Sequence, residues 1–361
     1  MKATEAPIRH LVIYSSGMIG DFMMLLGMSE NARLSHPELQ VTFLVTRSAS
    51  FFREILGYQY PYIEVLSLKQ EKETFVKYLV RITKNLLGIA LSKNALILPV
   101  FFKGDPLKVV LFGWMLTRFP GSKFISFANP NEWIKRILCS DILVFDFKKG
   151  FYDNHLETTK LLDIKRVIER PMYRYVPNES VIKRYGINIP YIVMHIASTR
   201  RRWTFPIPRW EKVVRQVLDR IPDATIILTG SPADFSFVEK LASLFPKNKV
   251  RNCAGSFSAS ELVSVIHYAE LYIGVDTGIT HIAGNMSKKA IVIGHQYIPP
   301  VFLSYNPNGI VLFNKDACQC RGDATQTCNV IENGELYMRC TFYITDEMIE
   351  ETLKKLLGKR K

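Results

Sequence analysis

The chain has 361 residues, of which 48% are apolar, and it carries a formal net charge of +14. Its length is enough for two domains of ordinary size, and the apolar fraction excludes a chain without packed cores. The positive charge implies an anionic partner, which could be nucleic acid, a membrane surface or a phosphorylated substrate.

The N-terminus does not have the layout of a secretory signal, because Glu5 and Pro7 precede a short apolar run. We therefore expect a cytoplasmic protein. The most apolar long region, residues 95–119, is interrupted by charged residues and a proline, which argues against a membrane-spanning helix. Any association with a membrane would be peripheral.

The first half of the chain alternates apolar strands with helical stretches. Its predicted elements are a strand at 10–16, a glycine-containing turn at 17–21, a helix at 22–34, and strands at 41–45, 95–101 and 123–127. This rhythm predicts a parallel sheet with helices on both faces.

The rhythm restarts at Tyr191, after a segment at 185–190 that resembles a linker. The predicted strands are 192–196, 225–229, 271–275 and 290–294, and the predicted helices are 210–220, 235–244 and 259–268. We expect domains at 1–185 and 186–344, followed by a C-terminal helix and basic tail at 345–361 that could pack back on the first domain. Ligands bind at the carboxyl ends of such strands, where Asp21 and Asp276 fall.

The most informative segment is 274–281, which reads GVDTGITH between an apolar strand and a helix. A helix that begins at Thr277 and Gly278 would offer N–H groups and a positive dipole end to an anion. His281 follows about one helical turn later and would face the same anion. The alternatives are that Asp276 or Thr277 only caps the helix, and that His281 is a packed histidine.

Two further segments carry polar groups at strand-to-helix turns. Asp21 could take a proton from an attacking hydroxyl, or it could cap the following helix. Residues 198–202 place the hydroxyls of Ser198 and Thr199 before three arginines, whose guanidinium groups match phosphate oxygens. Spacing does not tell which of Arg200, Arg201 and Arg202 points at a ligand.

Asp234 also lies at a strand-to-helix turn, where it could bind ribose hydroxyls or cap a helix. Four of the six cysteines, Cys318, Cys320, Cys328 and Cys340, cluster near the C-terminus without paired C-x-x-C spacing. We favour reduced structural thiols for them, and a metal site or a local disulfide is the alternative.

Several catalytic motifs are missing from the sequence. It contains no D-x-D motif, no G-x-x-x-x-G-K-[ST] loop and no G-x-S-x-G elbow, which disfavours NTPase and serine-hydrolase functions. Without a D-x-D motif to hold a divalent cation, an arginine and a helix N-terminus would neutralise a leaving diphosphate.

Taken together, these motifs resemble glycosyltransferase family 9, the heptosyltransferases of lipopolysaccharide inner-core synthesis. Residues 15–21 are similar to the family's S-x-x-G-D turn, and residues 275–281 are similar to its D-T-G-x-x-H signature. The resemblance implies an α/β GT-B fold, in which two Rossmann-like domains with parallel sheets face each other across a cleft. The N-terminal domain would bind the acceptor and the C-terminal domain the nucleotide sugar.

The resemblance also implies the reaction: an inverting, metal-independent transfer of a sugar, such as the heptose of ADP-heptose, to a lipopolysaccharide core or related glycolipid, without a cofactor. Asp21 would be the base, and Arg202 would take the place of the family's usual lysine. The implied donor-binding residues are Ser198, Thr199, Asp234, Asp276, Thr277, Gly278 and His281, and the acceptor-binding residues stay unassigned. Residues 96–100 lack the aspartate that many members carry, which leaves the acceptor and the donor sugar open.

The anionic surface of the inner membrane, on which a phosphorylated lipid acceptor lies, would account for the positive charge. Residues 75–87 alternate cations with an apolar face, although we favour an ordinary helix packed on the first domain.

Two other functions stay open: a GT-B sugar-nucleotide epimerase and a basic nucleic-acid-binding protein. The second lacks a recognised motif, so we expect no nucleic-acid partner. A degenerate relative without catalysis is disfavoured by the presence of both Asp21 and Asp276.

Overall fold

The computed structural model describes residues 8–15, 18–67, 77, 80, 84, 87, 95–99, 123–127, 137, 139–144, 146, 149–160, 172–295, 306–313 and 329–358. The chain divides into two compact units, Met1–Tyr175 and Val176–Lys361. This division lies ten residues before the boundary that we predicted after residue 185. Each unit is built around its own parallel sheet.

The first unit contains a six-stranded parallel sheet. Its strands are β1 (His10–Ser15), β2 (Gln40–Val45), β3 (Ile63–Ser67), β4 (Ala95–Pro99), β5 (Lys123–Phe127) and β6 (Asp141–Leu143), in the order β3-β2-β1-β4-β5-β6. The order reverses between β1 and β4, which is the topological switch of a Rossmann sheet. The sequence predicted four of these strands and missed the short edge strands β3 and β6.

The described helices of this unit are α1 (Ile19–Ser35), α2 (Ala49–Leu56) and α3 (Phe151–Lys160). Helix α1 is buried continuously from Phe22 to Ala32, as expected for a helix enclosed by other elements. Phe22 stacks on Phe52 of α2 with ring centroids 4.0 Å apart. Asn31 donates a hydrogen bond to the hydroxyl of Tyr152 in α3.

The second unit repeats the topology of the first. Its strands are β7 (Tyr191–His195), β8 (Thr225–Leu228), β9 (Val250–Asn252), β10 (Leu271–Val275), β11 (Ala290–Ile293) and β12 (Gly309–Leu312), in the order β12-β11-β10-β7-β8-β9. The switch here lies between β7 and β10. Two Rossmann-type sheets in succession confirm the GT-B class that the sequence indicated.

Helices on both faces complete the second unit. They are α4 (Glu179–Arg184), α5 (Ile207–Arg220), α6 (Phe235–Ala242), α7 (Ala259–Tyr268), α8 (Gly278–Asn285) and α9 (Asp346–Leu357). An antiparallel hairpin of β13 (Asn329–Glu332) and β14 (Glu335–Met338) precedes α9. The core joins apolar residues of β7, β8, β10 and β11 with those of α5 and α6.

The C-terminal helix α9 packs into this second core. Ile349 and Leu353 are buried within it, and Asp346 pairs with Lys212 of α5 at 2.9 Å. The sequence left open whether segment 345–361 packs back on the first domain; the apolar residues Ile349 and Leu353 of α9 lie in the core of the second unit.

The structure bears on two predictions about membranes, the absence of a spanning helix and the surface segment 75–87. No helix among the described residues combines the length and apolarity needed to cross a bilayer. Of the basic segment 75–87, four helical positions are described, Lys77, Val80, Lys84 and Leu87, and all four are exposed. The remaining residues of this segment lie outside the described ones, as does most of the apolar region 95–119.

Candidate functional site

The polar segments of the second unit meet at one edge of its sheet. Strands β7, β8, β10 and β11 are parallel neighbours, so the turns that follow them leave the sheet on the same side. The turns after β7 and β10 flank the topological switch, where open α/β sheets bind ligands. These turns contain residues 198–202 and 276–281, which the sequence singled out as separate motifs.

The turn after β10 leads directly into α8. Asp276 is buried, and Thr277 occupies the N-cap position in extended conformation without a side-chain capping hydrogen bond. Neither residue therefore acts as the side-chain cap that was the alternative interpretation. The first N–H groups of α8, starting at Gly278, carry the positive end of the helix dipole and suit an anion.

A buried hydroxyl pair fixes this turn to the strand. Thr280 donates to the carbonyl oxygen of Val275 at 2.5 Å, and its oxygen lies 2.9 Å from the hydroxyl of Tyr272. Because the single Thr280 proton is committed to Val275, the Tyr272 hydroxyl is the donor in the second bond. Gly274 is required here, since a Cβ at this position would lie 2.6 Å from the Tyr272 hydroxyl oxygen.

Asp276 lies between two imidazoles. Its Oδ1 is 3.5 Å from Nε2 of His281, and its Oδ2 is 3.7 Å from Nε2 of His295. Burial by itself raises the pKa of Asp276, but the hydrogen bond from His281 and the positive potential of the two histidines outweigh burial and lower it. Asp276 is therefore a buried carboxylate that can orient His281.

His295 is a residue of this edge that was not predicted from the sequence. It follows Gly294 directly after β11, and its ring contacts the indole of Trp203 with centroids 4.5 Å apart. Burial lowers the pKa of His295 below its usual value, Asp276 opposes this, and Arg200 and Arg202 add to the lowering. Its place two residues after β11, a strand that borders β10, was the signal that could have found it.

The segment after β7 forms a short 3-10 turn, Arg201–Trp203, and gives its three arginines different surroundings. Arg200 stacks over the ring of Trp203 at 4.4 Å. Arg201 pairs with Asp234 at 3.2 Å and covers the ring of Phe237 at 3.8 Å. Arg202 makes no ion pair within the part of the chain that the structure describes, so its charge is the one most available to a ligand.

Hydrogen bonds and ring contacts of the residues that follow hold this arginine turn in place. Thr204 donates to the carbonyl of Ile196 at 2.6 Å and accepts from the indole nitrogen of Trp210 at 2.9 Å. Arg209 stacks on Phe205 and donates to the carbonyl of Thr341. The turn is consequently tied both to the end of β7 and to α5.

The remaining residues predicted for this unit lie nearby with their own partners. The backbone N–H of Arg200 donates to the buried Ser198 hydroxyl at 3.3 Å, and Thr199 is exposed. Asp234 accepts from both the N–H and the hydroxyl of Ser231, in a capping box at the turn before α6. Its carboxylate is thus already engaged as a cap and by Arg201, and its role toward ribose stays a prediction.

His195 is a second titratable group of this edge that had no assigned role. Its Nδ1 lies 3.0 Å from the hydroxyl of Thr229, and burial lowers the pKa of His195 to about 4, against a small opposing effect of Asp234. It is therefore a neutral imidazole at physiological pH.

In the first unit, Asp21 lies in the first turn of α1, which begins three residues earlier than predicted, with Met18 as the N-cap. Asp21 is thus not the cap itself. It is half-buried and follows β1 at the switch point of its sheet, next to β4. Ser16 and Gly17 of the same motif lie outside the described residues.

The predicted cysteine cluster is described only at Cys340, which is buried against Trp203 and Met338. Cys318, Cys320 and Cys328 lie outside the described residues. Within the described residues, no group of three His, Cys, Asp or Glu side chains could hold a metal ion.

Comparison with known proteins finds a match to one family model and similar folds among solved structures. Residues 161–329 match the sequence model of glycosyltransferase family 9 (heptosyltransferase), whereas the sequence matches no curated protein. The fold is similar to that of a family 9 glycosyl transferase from Veillonella parvula, with a TM-score of 0.74, 15% identity, and 99% of each chain covered.

Two structures from E. coli share the fold as well. ADP-heptose lps heptosyltransferase II has a TM-score of 0.71 at 15% identity, with 97% of this chain and 98% of that chain covered. Heptosyltransferase WaaC with ADP-2-deoxy-2-fluoro heptose has a TM-score of 0.65 at 14% identity, with 96% and 99% covered. The segment 276–281 and the arginine turn both fall inside the family match.

Proposed function

We propose that the chain is a member of glycosyltransferase family 9, whose sequence model matches residues 161–329, and that it transfers a heptose from ADP-heptose to a lipopolysaccharide core or a related glycolipid, with inversion and without a metal ion. The observation that carries this proposal is the meeting of the D-T-G-x-x-H turn and the arginine turn at the switch point of the second sheet. One is an uncapped helix N-terminus and the other a cluster of guanidinium groups, and both suit a diphosphate.

The donor diphosphate would lie between these two turns. The N–H groups of Thr277 and Gly278 and the charge of Arg202 would meet its oxygens, with the hydroxyls of Ser198 and Thr199 close by. These groups would stabilise the charge that grows on the leaving diphosphate, which is the role a divalent cation has in other transferases. His281, oriented by Asp276, would add a hydrogen bond.

The chemical step would be a single displacement. Asp21 takes the proton of the acceptor hydroxyl, the oxygen attacks the anomeric carbon, and the bond to the diphosphate oxygen breaks with inversion. A general base of this kind contributes roughly 10²- to 10⁴-fold to the rate. The proton ends on the Asp21 carboxylate, and the electron pair leaves with the nucleotide diphosphate.

Replacement of Asp21 tests this assignment. In Asp21→Ala we expect kcat to fall by about 10²-fold or more, while the Kd of ADP-heptose measured by calorimetry stays within about twofold of wild type. Asp153→Ala is the matched control, because Asp153 is another half-buried acid in the first turn of a first-unit helix. Equal losses of turnover and donor affinity in Asp21→Ala would refute its role as the base.

Arg202 offers a second test. The family usually carries lysine in this loop, so Arg202→Lys should keep most of the affinity for the donor. Arg202→Ala should weaken that affinity about tenfold or more, because a hydrogen bond to a charged group contributes roughly 1.5–3 kcal/mol.

Consumption of ADP-heptose without any acceptor would instead indicate an epimerase and contradict the transferase proposal.

The acceptor would be met on an anionic membrane surface. Lys77, Val80, Lys84 and Leu87 are exposed at helical spacing, with Val80 at 64% and Leu87 at 54% exposure, and this mixture of cations and apolar groups suits such a surface. Lys77→Glu with Lys84→Glu should reduce sedimentation with phosphatidylglycerol liposomes. Sedimentation that did not depend on anionic lipid would remove this part of the proposal.

A further inference from the structure

His295 connects the two turns of the candidate site. Its ring contacts Trp203 at 4.5 Å, and Trp203 in turn lies under the guanidinium of Arg200 at 4.4 Å. On the other turn, Nε2 of His295 faces Oδ2 of Asp276 at 3.7 Å. The series Arg200, Trp203, His295 and Asp276 thus runs from the arginine turn to the D-T-G-x-x-H turn.

The carboxylate that His295 faces is incompletely satisfied. The side chain of Asp276 is more than nine-tenths buried, and no described group lies within hydrogen-bond distance of its Oδ2. A separation of 3.7 Å is too long for a hydrogen bond, whereas a charged imidazolium and a carboxylate bond at about 2.7–2.9 Å. A shift of less than 1 Å would therefore complete a strong, charge-assisted bond between the two turns.

We propose that His295 is a positioning residue that takes up one proton when the donor diphosphate binds, and that the resulting imidazolium bonds Asp276 and fixes the D-T-G-x-x-H turn on the donor. This inference rests on the proposed function of the site. The proton comes from solvent and ends on the His295 ring, and no covalent bond changes.

The charges around His295 give the reason for the uptake. Asp276 lies next to His295 and His281 lies beyond that carboxylate, while Arg200 and Arg202 act on the charge of His295. In the free protein, burial and the two arginines keep the pKa of His295 below its usual value, although Asp276 acts in the opposite sense. A bound diphosphate cancels the potential of the arginines and leaves the attraction of Asp276, which favours protonation.

The sign of the pH dependence follows from linkage. Since the donor complex holds more protons than the free protein, affinity for the donor rises as the pH falls through the interval between the two pKa values of His295. The steepest possible slope for one proton is about tenfold in Kd per pH unit. A nucleotide sugar is suited to this measurement because its diphosphate is a diester that does not titrate near neutral pH.

Calorimetry of the full chain with ADP-heptose, in the absence of acceptor, tests the proposal. Titrations at pH 7 in PIPES and in imidazole buffers, whose ionisation enthalpies differ, give the number of protons taken up. We expect a clear positive uptake for the wild type, the same uptake for His267→Gln as the control, and almost none for His295→Gln. The Kd of His295→Gln should also become nearly independent of pH between 6 and 8.

The outcomes separate this inference from the proposed function. Donor binding without proton uptake, or uptake unchanged in His295→Gln but lost in His281→Gln, overturns the role of His295 and leaves the transferase proposal in place. Failure of ADP- and UDP-linked sugars to bind at any pH overturns both. If His295→Gln does not fold, titration of protein with ¹³C-labelled histidine decides: one of the seven histidines must show a higher pKa in the donor complex, and its resonance must still be present in His281→Gln.

Discussion

The hydroxyl pair of Thr280 and Tyr272 allows a sharp test of how the D-T-G-x-x-H turn is attached to β10. In Thr280→Val the shape is kept, but the Val275 carbonyl loses a donor at 2.5 Å and the buried Tyr272 hydroxyl loses its acceptor at 2.9 Å. An unsatisfied buried polar group costs roughly 1–3 kcal/mol. With two groups affected, we expect the free energy of unfolding to fall by about 2–4 kcal/mol.

Tyr272→Phe should cost less, about 1 kcal/mol, because Thr280 keeps its bond to Val275. In the double variant no hydroxyl is orphaned on the tyrosine, so the two losses are not additive. We expect the double variant to be no less stable than Thr280→Val alone, which corresponds to a coupling of about 1–2 kcal/mol.

Urea unfolding followed by circular dichroism measures these differences, provided that the m-values agree. Thr352→Val is the matched control, since the buried Thr352 hydroxyl donates only to the carbonyl of Met348 four residues earlier in its helix. That carbonyl belongs to a regular helical turn, so this variant should change stability by less than about 1 kcal/mol. An additive double variant, or a Thr280→Val variant as stable as the control, would refute the reasoning.

Two further predictions concern the same edge of the sheet. Burial lowers the pKa of His195 from 6.5 to about 4, so between these pH values the unfolded protein binds a proton that the folded protein does not. The free energy of unfolding should therefore drop by up to about 3 kcal/mol as the pH falls from 6.5 to 4. His195→Gln should flatten this pH profile in urea unfolding, and an unchanged profile would show that His195 is not its source. Gly274→Ala should lower the unfolding free energy by at least about 2 kcal/mol, because the new Cβ would lie 2.6 Å from the buried Tyr272 hydroxyl oxygen. A fall of less than about 1 kcal/mol in urea unfolding would contradict this steric explanation.

Several features could be predicted because they depend on short stretches of sequence. The apolar strands β7, β8, β10 and β11 were placed within one or two residues, since buried parallel strands are short apolar runs bounded by turns. The prediction that segment 276–281 binds an anion rests on the same local pattern, and it stays a prediction. Edge strands such as β3, β9 and β12 were missed, because a short strand at the edge of a sheet carries a weaker apolar signal.

The partners of the polar side chains could not be predicted from short stretches of sequence. Spacing left the three arginines equivalent, and only packing shows that Arg201 pairs with Asp234 while Arg202 has no ion pair among the described residues. The same holds for the capping box that engages Asp234.

The sequence by itself determined the fold class of this protein, two successive Rossmann-type sheets, and it carries motifs similar to those of family 9 together with a net charge of +14. Each of these depends on residues close together in the chain. Only the tertiary structure decided that Asp276 lies between His281 and His295, and that Trp203 links His295 to Arg200. The physical reason is that parallel strands bring turns from distant parts of the chain to one edge, where burial and neighbouring charges then set the chemistry of each group.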